Sequence, residues 1–394
     1  MHLMKSIYGM KQASRIWNQT FHNAVSEWGF EQLECEWCVY CHNSPTGTVI
    51  FAVHVDDIIA AGSTPEENDH FRDLLKTKWE ITELGEPTLA LGIAISRDKP
   101  NRTITLSQTA KIDQLIKEYH QCDARPVDTP MVAGLQLRKP DKSAPVPSEI
   151  LDWVNRMPYR SLVGSLMYLS VATHPDILYA VSHLSSFLDC YRLDHWDAAI
   201  RVLRYLKGTR THALTLGGTN PLLLTGYSDS NYANCVDTSH SVGGYCFTLG
   251  SGMISWSSRK QSTVADSSCY AEYIALHNAA HEVVFLQQLL EGLHHLPPGP
   301  ARLYCDNNAA SRLSEDHVWH LHTKHIRVKY HYTRELVLAG DASVQRVGSK
   351  DNTADILTKP LARVDFQCLR HYLGIRAMVV RGFTPLCPTW AVVT

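Results

Sequence analysis

The chain contains no run of eighteen apolar residues and no positively charged opening followed by an apolar stretch, so neither a membrane-spanning helix nor a secretory leader is expected. Its eleven cysteines are odd in number and fall at no framework spacing. That excludes a disulfide scaffold and predicts reduced thiols in an intracellular protein of the cytoplasm or nucleus. An excess of charge of one sign is missing too: 37 Lys and Arg against 39 Asp and Glu leave a net charge of −2. The whole chain is therefore not a strongly basic nucleic-acid binder, and phosphate contacts have to come from local patches. What is present is ample apolar material, 44% of 394 residues, which predicts two to three domains with real cores.

Four acidic residues stand out in the second half: Asp229, Glu272, Asp306 and Asp355. Glu272 extends the stripe Leu276, Ala279, Val283, Leu286, Leu290, Leu293, whose four-three spacing marks the core face of a long amphipathic helix. An ionised carboxylate on that face costs several kcal/mol or more unless it is protonated, paired or bound to a metal. Asp229 ends Leu222-Leu-Leu-Thr-Gly-Tyr-Ser-Asp and Asp306 ends Arg302-Leu-Tyr-Cys-Asp, both read as short strands closed by turn-prone residues. Asp355 is expected to open a final helix. Singly, an Asp at a strand end serves a turn or a cap, and Asp355 would suit a helix N-terminus. Together the four form a set of hard oxygen donors for Mg²⁺ or Mn²⁺, and two such ions can stabilise the attacking and leaving oxygens of a phosphodiester.

The segments around these carboxylates resemble a known family. Gly226-Tyr-Ser-Asp-Ser-Asn-Tyr-Ala, Ile254-Ser-Trp-Ser-Ser-Arg-Lys-Gln, Ala271-Glu-Tyr-Ile-Ala-Leu, Asp306-Asn-Asn-Ala-Ala, Thr323-Lys-His-Ile and Ala354-Asp-Ile-Leu-Thr-Lys-Pro-Leu are similar to the RNase H domain of copia-type LTR-retrotransposon Pol polyproteins. Upstream, Ile7-Tyr-Gly-Met-Lys-Gln-Ala-Ser-Arg-Ile-Trp, Val55-Asp-Asp-Ile, Leu91-Gly-Ile, and Tyr159-Arg-Ser-Leu-Val-Gly-Ser-Leu-Met-Tyr-Leu through Leu206-Lys-Gly-Thr resemble the reverse transcriptase of the same polyproteins. The resemblance implies a catalytic and metal-binding set of Asp229, Glu272, Asp306 and Asp355, holding two Mg²⁺ or Mn²⁺ ions. It implies a polymerase pair, Asp56 and Asp57, at a hairpin tip after the alternating run Val49-Ile-Phe-Ala-Val-His-Val. In that family an earlier palm Asp followed by Leu-Asn-Gly completes the polymerase site. Neither lies in this sequence, so the polymerase region is expected to be incomplete. His54 stands where the family usually has Tyr, and Ser239 and His240 stand where relatives commonly carry two Arg.

The fold expected is α/β and α+β. A partial reverse-transcriptase palm fills 1–125, a linker and helical thumb or connection 126–216, an RNase H-like mixed five-stranded sheet flanked by helices 217–362, and a tail 363–394. The Pro-rich stretch from Arg125 to Pro147 marks the irregular crossing. Helices are predicted over Met10 to Trp28 and Pro65 to Lys78, and strands at Leu91 to Ser96, Thr103 to Leu106, Gly243 to Leu249, Met253 to Ser258 and Ala342 to Val347.

Two basic groups are candidate nucleic-acid contacts. Arg201, Arg204, Lys207 and Arg210 recur every third residue on one drifting helical face, and Lys324, Arg327, Lys329 and Arg334 follow among Tyr330 and Tyr332. Each series reads equally as a phosphate-lining stripe or as an ordinary solvated face. Cys35-x-x-Cys38-x-x-Cys41-His42 carries the spacing of haem attachment and nearly that of a zinc knuckle. No second ligand pair follows at finger spacing, and Trp37-Cys-Val-Tyr-Cys alternates as a strand, so a structural role is favoured. His317, His320, His322, His325 and His331 are read as hydrogen-bonding groups on the same reasoning. No His lies between Gly340 and Asp355.

These expectations converge on a retrotransposon Pol fragment with RNase H-type, metal-dependent hydrolysis of RNA in RNA–DNA hybrids. Its partners would be nucleic acid and remaining Pol segments, with no membrane. Two alternatives stay open: a non-catalytic nucleic-acid-binding remnant of such an element, and a reverse transcriptase completed by a separate N-terminal part.

Overall fold

The computed structural model describes residues 9–140, 152–154, 156–315 and 332–378. The chain divides into two compact units, Met1–Pro87 with His281–Gly299, and Thr88–Ala280 with Pro300–Thr394. No described helix is long and apolar enough to cross a membrane.

In the first unit, helix α1 (Ala13–Glu27) and helix α2 (Pro65–Lys78) accompany a four-stranded antiparallel sheet. Its strands run in sequence order: β1 (Glu31–Gln32), β2 (Val39–Asn43), β3 (Thr48–His54) and β4 (Asp57–Gly62). Helix α2 begins where its sequence says it should. The Thr64 hydroxyl accepts from the Glu67 N–H, Pro65 takes the first helical position, and Glu66 and Glu67 sit at the positive end of the dipole with Lys76 and Lys78 at the other. Aromatic rings fill the core, with Phe51 stacked on Phe71 at 4.6 Å and on Tyr40 at 5.0 Å between centroids.

The second unit holds two five-stranded sheets. One comprises β5 (Leu89–Ala90), β6 (Ile93–Asp98), β7 (Thr103–Ser107), β8 (His212–Gly217) and a late strand, Ile375–Ala377, in antiparallel order with the late strand at the β8 edge. Helices α3 (Thr109–Glu118), α4 (Tyr159–Ala172), α5 (Leu178–Ser185) and α6 (Leu193–Gly208) lie between β7 and β8 in the chain. The other sheet is the mixed one expected, with order β11-β10-β9-β12-β13 for β9 (Leu224–Asn231), β10 (Val242–Leu249), β11 (Met253–Lys260), β12 (Ala301–Cys305) and β13 (Ala342–Arg346). Strands β9 to β11 form an antiparallel meander, and β12 and β13 run parallel to β9. The connections are helix α7 (Ser268–Gly292) before β12, then α8 (Asn308–Glu315) and α9 (Tyr332–Ala339) before β13. This is the RNase H-like topology.

One apolar core joins the helices to the mixed sheet. Leu115 of α3, Leu166 of α4 and Leu203 of α6 share it with Cys246 of β10, Leu357 and Phe366. Trp256 of β11 donates to the Ser170 carbonyl at 2.9 Å, and Ser182 to the Ser258 carbonyl at 3.0 Å. The segment read as a tail from residue 363 contains helix α10 (Arg363–Tyr372) and strand β14 (Ile375–Ala377), which pairs Ile375 with Leu214.

One expectation is corrected. Asp355 does not open an α-helix; it lies within a 3-10 turn, Thr353–Leu357. Pro360 follows closely, and its ring and missing N–H stop a helix from continuing there.

Candidate metal centre

Strand register brings the first two carboxylates together. Tyr304 of β12 pairs in parallel with Tyr227 of β9, so Asp306 and Asp229, each two residues further on, arrive side by side on the same face. The stacked rings of Tyr227 and Tyr304, 5.2 Å apart, sit on that line. Glu272 comes from the second turn of α7, whose stripe residues Leu276, Ala279 and Val283 are fully buried. Each of Asp229, Glu272 and Asp306 offers an oxygen within 4.8 Å of the others. Among the described residues no other set of three or more His, Cys, Asp or Glu is gathered this way.

Asp355 joins from the 3-10 turn. Asn352, fully buried, braces that turn: its amide donates to the Ser228 carbonyl at 2.9 Å while its oxygen accepts from the Ala354 N–H at 3.2 Å. Two neighbours not named as site residues by the sequence reading complete the cluster. The Thr358 hydroxyl donates to Asp229 Oδ2. Lys359 Nζ lies 2.9 Å from Asp355 Oδ1 and 3.8 Å from Asp229 Oδ2. The four-residue spacing of Asp355 and Lys359 was the available signal.

The charges are crowded and poorly solvated. Burial, then the charges of Asp229 and Asp306, push the Glu272 carboxyl up to about 9. Burial and then Asp229 push Asp355 up to about 7. Asp229 is raised as well, chiefly by burial, against the opposing pull of Lys359 and the Thr358 hydrogen bond. Burial disfavours the Lys359 ammonium, yet the carboxylates of Asp229 and Asp355 outweigh it and raise its affinity for the proton. Glu272 is 7% exposed and its Oε2 has no hydrogen-bond partner. A buried carboxylate with one unpartnered oxygen, gathered with two further carboxyl groups, is what a hard divalent cation fits.

The remaining candidates fall elsewhere. Asp56 and Asp57 belong to the first unit, exposed at the tip of the β3–β4 hairpin, where His54 pairs with Asp57. The turn puts Val55 at φ 60°, an unfavourable region for a β-branched residue, and the Trp17 indole donates to its carbonyl at 2.6 Å. Four basic residues of α6 and its end have internal partners. Arg201 donates to the Thr129 hydroxyl at 3.0 Å, Arg204 to the Arg125 carbonyl at 2.8 Å, Lys207 to the Ala124 carbonyl at 2.8 Å, and Arg210 pairs with Asp113 at 2.8 Å. Lys324, Arg327 and the five histidines from His317 to His331 lie outside the described residues. Arg334 is buried and holds the Leu313 carbonyl. The Cys35 to His42 run forms no ligand set among the described residues: Cys41 is buried and His42 bonds the Gly29 carbonyl at 2.8 Å.

Fold and site together define an RNase H-like domain with a carboxylate centre, carried on the same chain as a second αβ unit. The family described as "Reverse transcriptase (RNA-dependent DNA polymerase)" matches residues 1–133. The Retrovirus-related Pol polyprotein from transposon TNT 1-94 of Nicotiana tabacum is 35% identical over 95% of this chain and 28% of its own length. A transposon Ty5-1 protein of Saccharomyces cerevisiae is 32% identical over 71% of this chain and 89% of its own. The chain belongs to the copia-type family of retrovirus-related Pol polyproteins. It spans about a quarter of the length of the long Pol relatives it matches. Among solved structures, an RNase H1 isolated from compost aligns over 93% of its own chain and 35% of this one, at 15% identity and a TM-score of 0.28.

Proposed function

We propose that the second unit hydrolyses the RNA strand of RNA–DNA hybrids in a metal-dependent reaction, leaving 5′-phosphate and 3′-hydroxyl ends. The observation that carries this reading is the Asp229, Glu272 and Asp306 triad, delivered by a central strand, the crossover helix and the neighbouring parallel strand. These three carboxylates would hold Mg²⁺ or Mn²⁺, with Asp355 completing the shell of a second ion. Such ions supply a water deprotonated near neutral pH and a counter-charge for the leaving oxygen. The chain's own residues do the rest. The strand register sets the spacing of Asp229 and Asp306, the α7 stripe holds Glu272 against solvent, and Asn352 fixes the turn bearing Asp355. The attacking water loses its proton as its oxygen bonds to phosphorus, and the 3′-oxygen leaves and takes up a proton.

DNA synthesis is a different matter. Asp56 and Asp57 stand exposed without a third ligand among the described residues. A polymerase role for this pair would need a third carboxylate beside them.

Cleavage of a labelled hybrid by the full chain with Mg²⁺ or Mn²⁺, beside Asp306→Asn, tests the reading. Cutting that falls by about a hundredfold or more in the variant is expected. Cutting that persists undiminished in Asp306→Asn would refute it.

A further inference from the structure

Helix α5, strands β10 and β11 and the loop after β9 border a cavity of about 40 Å³ whose lining includes none of the four carboxylates. Tyr179 and His183 stand on its helix wall, and Val242, Ser258 and Lys260 on its sheet wall. Val242 pairs with Lys260, and Ser258 precedes Lys260 by two residues, so these three side chains project from one face of the sheet. Ser258 is 5% exposed, and its hydroxyl has no hydrogen-bond partner among the described residues. A buried hydroxyl left in that state beside a cavity is a place for a polar group of a guest. The loop adds Cys235, whose sulfur accepts from the Thr238 hydroxyl at 3.1 Å and lies 3.9 Å from Lys260 Nζ. Asn234 donates to the Tyr179 hydroxyl at 3.0 Å and the Lys139 N–H to Asp237 at 3.0 Å, which pins this loop in place.

Burial resists ionisation of the Cys235 thiol, yet the Thr238 hydroxyl and N–H, the Lys260 ammonium and the Asp237 N–H outweigh it, and the thiol gives up its proton more readily. His183 is pushed down to about 4, first by burial, so it is uncharged at neutral pH. The other charged groups of the lining are Lys139 and Asp237, of opposite sign. That leaves Lys260 as the counter-charge for a thiolate. We propose that Cys235 is a modification site for thiol–disulfide exchange, taking the CH₂–S end of a small aliphatic disulfide into this cavity. A water needs roughly 10 to 15 Å³ of such space, so the cavity has room for such an end and one polar group that Ser258 can hydrogen-bond. In the exchange, the Cys235 thiolate attacks one sulfur of the reagent. A new S–S bond forms as the old one breaks, and the other sulfur leaves as a thiolate that takes up a proton from water. The disulfide is itself the oxidant. This assignment stands apart from the nuclease reading.

Reaction of the reduced full chain with 2-hydroxyethyl disulfide at neutral pH, quenched with acid and mapped by peptide mass spectrometry, tests this. Cys235 should form its mixed disulfide about tenfold faster than the exposed Cys122 and Cys368, and denaturing urea should abolish that lead. Lys260→Met should slow Cys235 alone by about tenfold, while Lys260→Arg, which keeps the charge, retains most of the rate. Ser258→Ala should slow exchange with the hydroxyethyl reagent by about fivefold. It should leave unchanged the rate with a methanethiosulfonate that delivers only a methylthio group. Circular dichroism controls for folding. Lys260 is exposed, and if its methionine variant fails to fold, the wild-type lead in native buffer against urea still decides. A Cys235 that reacts no faster than Cys122, a lead kept in folded Lys260→Met, or a Ser258→Ala that slows both reagents alike or neither would overturn the proposal.

Discussion

Gly244 offers a stringent test of how the sheet builds the site. It pairs with Asp229 across the β9–β10 ladder, and the turn bearing Asp355 packs directly on it. A Cβ added there would lie 2.8 Å from the Leu357 Cβ, 2.9 Å from the Thr358 Cγ2 and 3.3 Å from the Leu357 carbonyl oxygen. Ordinary carbon–carbon contact is about 3.5 to 4.0 Å, so Gly244→Ala requires the turn to retreat by roughly 0.7 to 1.2 Å. Two of the three atoms are Cβ and backbone, which cannot swing aside as a long side chain would. Overpacking of this kind costs about 1 to 3 kcal/mol. The functional loss should be larger than that figure suggests, since Asp355, Thr358 and Lys359 all move with the turn and a displacement of about 1 Å in a catalytic constellation costs on the order of a hundredfold. Urea unfolding gives the first quantity and hybrid cleavage under single-turnover conditions the second. Near-wild-type values for both would mean that the turn is not seated on β10 as described.

Three further outcomes follow from the same geometry. Glu272 holds its proton to about 9 when folded, against an ordinary 4.5. The folded state therefore binds the extra proton between those values, and metal-free stability falls as pH rises through that window. In Glu272→Gln that slope is lost, so its stability advantage in EDTA should be small at pH 5 and grow towards pH 9; a constant offset in urea midpoints would contradict it. Asn352→Ala removes both the Ser228 and Ala354 hydrogen bonds of a fully buried amide, and should cost about 1 to 3 kcal/mol by denaturant unfolding, with weakened Mn²⁺ binding; unchanged stability would show that the brace is dispensable. Lys207→Met loses donation to two carbonyls, those of Cys122 and Ala124. It should lower stability by about 1 kcal/mol and leave the salt dependence of hybrid binding unchanged, whereas a salt slope reduced by about 1 would place Lys207 on a phosphate.

The parts of the molecule readable from sequence are those specified by local pattern. The α7 stripe announced Glu272 as an inward carboxylate, and strand patterns ending in Asp229 and Asp306 placed those two residues. Helix α2 was marked by Thr64, Pro65 and its flanking charges. What stayed hidden depends on contacts between distant residues. Residues 88–125 pack within the second unit through bonds such as Thr109 to the Arg210 carbonyl at 3.0 Å and Gly218 to the Arg102 carbonyl at 2.8 Å. No local periodicity reports a pairing across a hundred residues. Strand β14 has three residues, too few for an alternation to be seen. The 3-10 turn at Asp355 had a legible signal in Pro360. The reach of Lys359 to Asp229, 130 residues away in sequence, had none, although its spacing from Asp355 did.

Single-turnover incubation of the full chain with an RNA–DNA hybrid labelled on each strand in turn, beside Asp229→Asn, tests the nuclease assignment. Only the RNA strand should be cut, the products should carry 5′-phosphate and 3′-hydroxyl ends, EDTA should stop the reaction, and the variant should be silent. Cleavage of the DNA strand, cutting unaffected by EDTA, or a fully active Asp229→Asn would contradict it.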